Sequence, residues 1–362
     1  MKQYVIVKED LVHNINVIKQ LAKDSKVIAV LKGSGYGIGL LEFAKTLKEN
    51  GIDFFAVSEI EEAQKLRTFG FDNDILLLTA TADEEDIKKA LDLGVILSVG
   101  SEAVFEKISS LSAEMEKQSR VHVKIDTGFG RFGFLPDEYE LVSNCIGKYA
   151  NVNIEGIFSH FSFSFSTERK DVQCQYDKFV NCAEKIEESI GKKLLKHICN
   201  SCAFLQYDDM HLDACRVGSA FLGRLPLTKM YNLKKIGFMR SNVIEVKTLP
   251  KGCHVGYANT YTTTKETKIA IVPIGYKDGF GVEKSRDTFR FMDILRYMFS
   301  DFKSIGKKIT VRIGDRSYPL IGRVSMYNVV LDVTGSDVKV GDIAETNANP
   351  VLVSHNVERV YE

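Results

Sequence analysis

Lys32 is the first of several reactive side chains that stand where a short apolar run ends. It follows the run 26–31 and precedes a loop with four glycines in residues 33–39. Burial disfavours the charged form of an amine, so a lysine in this position can become a nucleophile. The alternative is a lysine that reaches solvent at the rim of the fold. The loop matches neither a dinucleotide-binding motif nor a P-loop, because the lysine precedes the glycines.

Other polar and charged groups occupy equivalent places further along the chain. An arginine in a glycine-containing loop after a strand can hold a carboxylate by two hydrogen bonds, although a surface ion pair is the usual outcome. A histidine in such a place is more often packed than metal-bound when no second histidine lies at ligand spacing. These candidates are Lys124, Arg131, His160, Ser201 and Arg216.

We expect no metal site. Cys199 and Cys202 form a CxxC pair, but the chain has no second pair of this spacing. A structural zinc site needs four ligands, and a lone pair supplies two.

The elements that position these residues follow one repeated pattern. A short β-branched run, a small polar or glycine break and an amphipathic stretch recur eight times within about 200 residues, which favours a (β/α)8 barrel over an open sheet of five or six strands. Active sites of such barrels lie at the carboxyl ends of the strands. The predicted strands are 26–32, 54–58, 75–79, 95–100, 121–126, 154–161, 194–200 and 214–217.

The pattern changes near residue 235, where strands follow one another without long helices. We therefore predict a barrel over residues 11–235 and a mostly β domain over residues 236–362. Residues 286–305 have apolar positions at helical spacing with arginine and lysine between them, which predicts a surface helix or a contact with another subunit.

Composition excludes several classes of partner. The 48 Lys and Arg residues balance 48 Asp and Glu residues, so no excess positive charge is available for nucleic acid. The longest apolar runs are far shorter than the ~20 residues that span a bilayer, so we expect no membrane partner. The first ten residues are unlike a secretion signal, which predicts a cytoplasmic protein.

Taken together, the motifs resemble those of the alanine racemases, which use pyridoxal 5'-phosphate and combine a barrel with a β domain. The resemblance covers nearly the whole chain. It rests on IAVLKGSGYGIG (28–39), VHVKIDTGFGRFGF (121–134), EGIFSHF (155–161), NSCAFLQ (200–206), CRVGSAFLG (215–223), VGYANTY (255–261), IAIVPIGYKDGFG (269–281) and GRVSMYNVVLDV (322–333). It also implies that residues 1–10 form a strand of the β domain.

For the cofactor, the resemblance implies that Lys32 forms the internal Schiff base and that His160 lies beside the pyridine ring. Arg216 would donate to the ring nitrogen, keep it unprotonated and so weaken the ring as an electron sink, which suits racemisation. The groups implied at the phosphate are Tyr36, Ser201, Gly218 and Ser219.

For the reaction, the resemblance implies two bases, Lys32 on one face of the substrate and Tyr257 of the partner subunit on the other. Arg131 would contact the substrate carboxylate, and Lys124 matches a lysine that is often carbamylated. A small amino acid is the implied substrate, and an active site shared between subunits requires a homodimer. The other residues implied to line the substrate site are Tyr276, Met326, Tyr327 and His355.

Several positions near the substrate depart from the family pattern. Ile38 replaces a histidine, Val217 a proline, Tyr327 an aspartate and His355 a tyrosine, and the insertion at 286–305 is longer than usual. Alanine is the first expectation, and serine or another small amino acid is the alternative. A non-catalytic barrel that only carries the cofactor is a second alternative, which the β domain bearing Tyr257 disfavours. The related barrel decarboxylases have a carboxylate where this chain has Arg216.

Overall fold

The computed structural model describes residues 1–166 and 168–362. The chain divides into two compact units. One comprises residues 8–236, and the other combines residues 1–7 with residues 237–362. We call them the barrel unit and the β unit.

Eight parallel strands form the sheet of the barrel unit, and the predicted barrel is confirmed. A parallel bridge between Leu76 and Ile96 joins the two edge strands, so that the sheet closes on itself. Each predicted strand is present, most of them a few residues shorter than expected. The strands are Lys26–Val30, Phe54–Val57, Ile75–Leu77, Leu97–Val99, Ser119–Lys124, Val152–Phe158, Leu195–His197 and Ala214–Val217.

Alternation along the strands decides which side chains fill the barrel. Ile28 and Val30 point inward and pack with Phe54, Leu76 and Ala214 in one buried cluster. Because successive side chains of a strand point to opposite faces, the next inward position after Val30 is residue 32.

Helices cover the outside of the barrel between the strands. Three of them begin at side-chain caps, which accept backbone N–H groups of the first helical turn. Asp83 accepts the N–H of Asp86, Ser101 that of Val104, and Asn200 those of Cys202 and Ala203. The helices are Lys8–Ala22, Leu40–Glu49, Ile60–Thr68, Glu84–Asp92, Glu102–Glu114, Tyr139–Lys148, Lys170–Ile190 and Ser201–Gln206.

The β unit contains a nine-stranded sheet and a separate two-stranded hairpin, formed by His254–Val255 and Tyr261–Thr262. The large sheet contains Lys2–Ile6, Phe238–Asn242, Glu245–Leu249, Thr267–Val272, Thr310–Ile313, Arg316–Ile321, Val329–Asp332, Ile343–Thr346 and Glu358–Tyr361.

The N-terminal strand is shorter than residues 1–10. It spans Lys2–Ile6, between the antiparallel strand Phe238–Asn242 and the parallel strand Glu358–Tyr361. Residues 8–10 instead open the first helix of the barrel unit, where two acidic residues, Glu9 and Asp10, occupy the first turn. Acidic side chains are favourable there because they face the positive end of the helix dipole.

The predicted surface segment 286–305 contains a helix, Phe291–Phe302, within the β unit. We call it the insertion helix. Among the described residues, no helix is long and apolar enough to cross a membrane.

Candidate functional site

The loop after the first barrel strand carries Lys32 into the mouth of the barrel. Gly33, Ser34 and Gly35 have φ values between +54° and +64°, so the chain makes a left-handed turn that glycine adopts without strain. The buried carboxylate of Glu62 accepts the N–H of Ser34 over 3.0 Å and the N–H of Ser58 over 3.2 Å. Glu62 thereby ties the lysine loop to the end of the second barrel strand.

Lys32 borders a cavity of about 450 Å³ at the carboxyl ends of the strands. Nine residues that the sequence singles out in the barrel unit line this one cavity. They are Lys32, Tyr36, Lys124, Arg131, His160, Ser201, Arg216, Gly218 and Ser219.

The cavity concentrates positive charge. Burial, followed by the fields of Arg131 and Arg216, lowers the pKa of Lys32. Burial and the fields of Arg216 and Arg131 lower the pKa of Lys124 to about 7. The Lys124 amine lies 4.6 Å from the centre of the Phe158 ring. At neutral pH a large fraction of Lys124 is therefore a neutral, nucleophilic amine.

Arg216 is buried, lines the cavity and is fixed by five hydrogen-bond acceptors. Its Nη1 donates to Nδ1 and to the carbonyl of His197 over 2.7 and 3.0 Å. Its Nη2 donates to the carbonyls of Ser159 and Ile198 over 2.5 and 3.1 Å, and to Nδ1 of His160 over 3.3 Å. None of these bonds uses Nε, so that N–H can donate into the cavity.

Three neutral histidines form a hydrogen-bonded group with Arg216: His160 on the cavity wall, and His197 and His122 in the barrel core. Since Arg216 donates to Nδ1 of both His160 and His197, these two rings carry their protons on Nε2. Nε2 of His197 then donates to Nδ1 of His122 over 2.9 Å. Burial and the nearby cations hold the pKa of His160 and of His197 well below the usual value, and burial lowers that of His122 to about 3.

Asp126 shapes the loop that presents Arg131. Its two carboxylate oxygens accept the backbone N–H groups of residues 128–131, at distances of 2.8–3.1 Å. These bonds lower the pKa of Asp126. The carboxylate is thus committed to the backbone, and the Arg131 guanidinium lies over the Phe129 ring at 4.3 Å on the wall of the cavity.

Hydroxyl groups and backbone amides gather at another part of the cavity. The hydroxyl of Ser201 accepts the N–H groups of Gly218 and Ala220 over 2.9 and 3.3 Å, which leaves its own proton to donate. The hydroxyl of Tyr36 packs so closely on Gly218 that a Cβ there would come within 2.3 Å of it. Burial and the field of Glu62 raise the pKa of Tyr36 to about 12, so this phenol remains a donor.

The predicted substrate residues of the β unit lie on loops joined by hydrogen bonds. Tyr276 donates its backbone N–H to Ser325, and the N–H of Lys277 donates to the carbonyl of Met326. The Lys277 amine also donates to the Tyr327 hydroxyl over 2.7 Å. Residue 354, beside His355, donates its N–H to the carbonyl of Asp278.

Tyr257 stands on a tight turn of the β unit and is 68% exposed. The turn packs near the start of the segment that carries Met326, since a Cβ on Gly256 would lie 3.2 Å from the backbone nitrogen of Arg323. Tyr257, Tyr276, Met326, Tyr327 and His355 are all exposed in the β unit.

Sequence reasoning missed Glu62, His122, His197 and Lys277. Lone histidines on apolar strands usually pack in the core, and Glu62 stands among the acidic residues of a helix start. One signal was available for His122, which is two residues before Lys124 and so points to the same face of its strand.

This arrangement suits a small anionic molecule with a reactive carbonyl. Two amines of lowered pKa and two guanidinium groups line the cavity. The carboxylates that oppose the two amines, Glu62 at Lys32 and Asp126 at Lys124, are occupied by backbone N–H groups. Cations buried at this density favour the binding of negative charge.

Comparison with known proteins gives the family. Residues 6–226 match the family model for the alanine racemase N-terminal domain, and residues 238–354 match that for the C-terminal domain. The alanine racemase of Clostridium tetani is 32% identical over 340 residues, which cover 92% of this chain and 82% of that protein. The alanine racemase of Methanococcus maripaludis is 30% identical over 338 residues, or 91% and 84% of the two chains.

Solved structures agree with the sequence relatives. The alanine racemase of Clostridium difficile 630 superposes with a TM-score of 0.87 and 26% identity, covering 100% of this chain and 95% of that one. The same racemase in complex with cycloserine gives a TM-score of 0.83 over 98% and 94% of the two chains. The chain belongs to the alanine racemase family.

Proposed function

We propose that this protein interconverts L- and D-alanine as a homodimer, with pyridoxal 5'-phosphate held in the barrel cavity. The observation that carries the proposal is the pairing of a lysine of lowered pKa with a buried arginine that lines the same cavity. Membership of the alanine racemase family supports the reaction.

The groups around the cavity fit this cofactor. The free proton of Ser201, the Tyr36 hydroxyl and the backbone at Gly218 and Ser219 would hold the phosphate. Lys32 would attach the cofactor, and the Nε–H of Arg216 would donate to its pyridine nitrogen. When bound, the cofactor withdraws electrons from the substrate Cα, so that the Cα–H bond becomes acidic.

Arg216 favours racemisation over other outcomes. A guanidinium has only N–H donors, with no hydrogen-bond acceptor atom, and it stays charged. It therefore donates a hydrogen bond without transferring a proton to the pyridine nitrogen. The neutral His197 holds Arg216 from below and cannot accept a further proton at neutral pH. The bound cofactor would then be a weak electron acceptor, which would favour the return of a proton to Cα.

Two bases on opposite faces of Cα exchange the protons. The amine of Lys32 serves one face, and burial together with the fields of Arg131 and Arg216 lowers its pKa, which favours the neutral, basic form of the amine. We assign the other face to Tyr257 of the partner subunit, because Tyr257 is an exposed side chain of the β unit. Tyr36 is a poor substitute, since its pKa is raised to about 12.

Arg131 and Lys124 orient the substrate. Arg131 has its guanidinium on the cavity wall and would pair with the substrate carboxylate. Lys124, with a pKa of about 7, is suited to carbamylation by CO₂, which would convert one of the cavity cations into an anion able to pair with Arg131.

A racemisation assay tests the proposal. The purified protein is incubated with each L-amino acid, and the enantiomers are resolved by chiral chromatography. We expect D-alanine from L-alanine, no turnover by Lys32→Ala, and full turnover by the control Lys65→Ala, which changes an exposed lysine. Serine turnover without alanine turnover would reassign the substrate. A protein that binds the cofactor and absorbs at about 420 nm, yet racemises no amino acid, would be a carrier.

A further inference from the structure

The insertion helix is strongly amphipathic. Its apolar positions, 291, 294, 295, 298, 299 and 302, recur at the i, i+3, i+4, i+7 spacing of one helix face, and Met292 widens that face. Its polar residues, Asp293, Arg296, Tyr297, Ser300 and Asp301, occupy the other side. A helix of this kind normally turns its apolar face toward a protein core.

Here part of the polar face is covered, at Asp293 and Tyr297. The preceding segment, residues 284–290, folds back along it: Arg290 donates to Asp293 over 2.8 Å, and Arg286 donates to both carboxylate oxygens of Asp301 over 2.6 and 2.7 Å. The hydroxyls of Thr288 and Tyr297 lie 2.9 Å apart. As a result Asp293 is only 2% exposed.

The apolar face is left open. Phe291 is 74% exposed, and the other exposed large apolar side chains of the helix and its flanks are Phe289, Met292, Ile294, Met298, Phe299, Phe302 and Ile305. A continuous patch of this extent exceeds what the surface of a monomeric protein normally shows, which indicates an interaction surface.

Positive charge accompanies this face. Residues 283–308 contain seven Lys or Arg and four Asp or Glu, an excess of three, whereas the whole chain is balanced. The acidic side chains Asp287, Asp293 and Asp301 are paired within the segment. The positive charge that remains exposed lies just after the apolar face, at Lys303, Lys307 and Lys308, and beside it at Arg296. Arg296 is exposed although its guanidinium lies 3.5 Å from the carboxylate of Asp293, which Arg290 also pairs with.

We propose that the insertion helix binds the surface of an anionic phospholipid membrane. Phenylalanine side chains would enter the boundary between headgroups and acyl chains, and the four basic residues would meet lipid phosphates. The sequence predicts no membrane partner because no run is long enough to span a bilayer, but a helix that lies in the interface needs no such length. A second copy of the same face is a poorer occupant, because it would bring these like charges together.

Vesicle flotation with the full-length protein tests the proposal. We expect the protein to float with vesicles of phosphatidylglycerol and phosphatidylcholine, and to stay in the dense fraction with vesicles of phosphatidylcholine alone. Raising the salt concentration should weaken binding, because it screens the lysine and arginine charges.

Variants separate the apolar and the charged contributions. Phe299→Asp should abolish flotation, whereas Ser300→Asp, which adds the same charge on the opposite face, should reduce it only about fivefold. Lys303→Gln and Lys307→Gln leave the apolar face intact, and each should weaken binding about fivefold, since one basic residue near the surface contributes about 1 kcal/mol. Circular dichroism shows whether each variant is folded.

Two results would overturn the proposal. In the first, the wild-type protein does not bind anionic vesicles, and the wild type and Phe299→Asp have the same mass in solution. In the second, the wild-type protein does not bind vesicles, and Phe299→Asp has a lower mass in solution than the wild type because it has lost a subunit contact. That second result would make a second copy of the chain the partner of the apolar face. The readout is lipid binding, so it does not depend on the racemase activity.

Discussion

Arg216 donates from Nη1 to Nδ1 of His197 over 2.7 Å, inside the barrel and below the cavity. This bond fixes the tautomer of His197, which in turn fixes that of His122 through the 2.9 Å contact between the two rings. Because His197 is fully buried and surrounded by cations, its pKa lies well below the usual value. Arg216 therefore keeps its charge and its position while the histidines stay neutral.

Acid should destabilise the barrel through these histidines. The unfolded chain binds protons on them below pH ~6.5, whereas His122 in the folded state resists protonation down to about pH 3. Stability is thus retained above pH 6.5 and lost as the pH falls through this window, by up to ~1.4 kcal/mol per pH unit for each histidine. Urea unfolding followed by circular dichroism between pH 7.5 and 4.5 (about half a unit per step) measures the slope.

Replacement of one histidine isolates its share of that slope. His122→Gln removes a titrating group and should make the pH dependence shallower, although the variant is less stable at neutral pH. His254→Gln is the control, because it changes an exposed histidine of the β unit. The pH dependence of its free energy of unfolding should have the same slope as that of the wild type. Equal slopes in the wild type and His122→Gln would mean that His122 is not buried as a neutral ring.

Glu62 should control the position and the basicity of Lys32. Glu62→Gln removes the charged acceptor of two backbone N–H groups, each such bond being worth about 1.5–3 kcal/mol, and loosens the left-handed turn. It also removes a field that raises the pKa of Lys32. We expect about a 10- to 100-fold loss of racemisation rate and a shift of the acidic limb of the pH–rate profile to lower pH.

The neighbouring residue supplies the control for Glu62. Glu61 lies on the same helix but is exposed, so Glu61→Gln should behave as the wild type. A Glu62→Gln variant with unchanged rate and unchanged pH profile would remove Glu62 from the positioning of Lys32.

The barrel and the residues that line its cavity were predictable from the sequence. The residues that support those lining residues, such as His197, were not. Lys32, Lys124 and Arg216 stand where apolar strands end, and that position in a barrel fixes where their side chains point. In the sequence, His197 cannot be told from a histidine that merely packs in the core. Its hydrogen bond with Arg216, which stands on the neighbouring strand, is visible only in the structure.

The insertion helix was predictable as a helix but not in its orientation. Periodicity identifies two faces of residues 291–302, and it assigns the apolar one to a core. The ion pairs of Arg286 and Arg290 with the helix reverse that orientation, and such contacts between side chains are not encoded in periodicity.

Lys124 should form a carbamate. Its pKa of about 7 leaves roughly half of the amine neutral at pH 7, whereas an ordinary lysine is almost entirely protonated there. Carbon-13 NMR of the cofactor-loaded protein in labelled bicarbonate should show a carbamate signal that disappears as the pH is lowered. Lys124→Arg keeps the positive charge but cannot react in this way, so a signal of equal strength in that variant would place the carbamate elsewhere.

Two inactive variants should complement each other. If Lys32 and Tyr257 of one site come from different subunits, mixing Lys32→Ala with Tyr257→Phe generates heterodimers that contain one intact site. Subunits are exchanged by mild denaturation and refolding, and racemisation is measured afterwards. We expect up to a quarter of wild-type activity, because about half of the dimers are mixed and each has one of two sites. No recovery, with mixed dimers demonstrated by differently tagged chains, would place both bases in one subunit.

Tyr327 should influence the choice between alanine and serine. Its hydroxyl accepts a hydrogen bond from Lys277, beside the backbone of Met326, which we assign to the substrate site. Tyr327→Asp replaces a large phenol by a small carboxylate that can pair with Lys277, so the pocket gains volume and loses an apolar ring. Changes of this kind alter discrimination by about 1–3 kcal/mol, or roughly 10- to 200-fold. We therefore expect the ratio of kcat/KM for serine to that for alanine to change in Tyr327→Asp, and to change further when His355→Tyr is added.

Tyr327→Phe keeps the ring and loses only the bond to Lys277, so it shows how much of the effect comes from that bond. A ratio that stays the same in all three variants would move the determinant away from this loop.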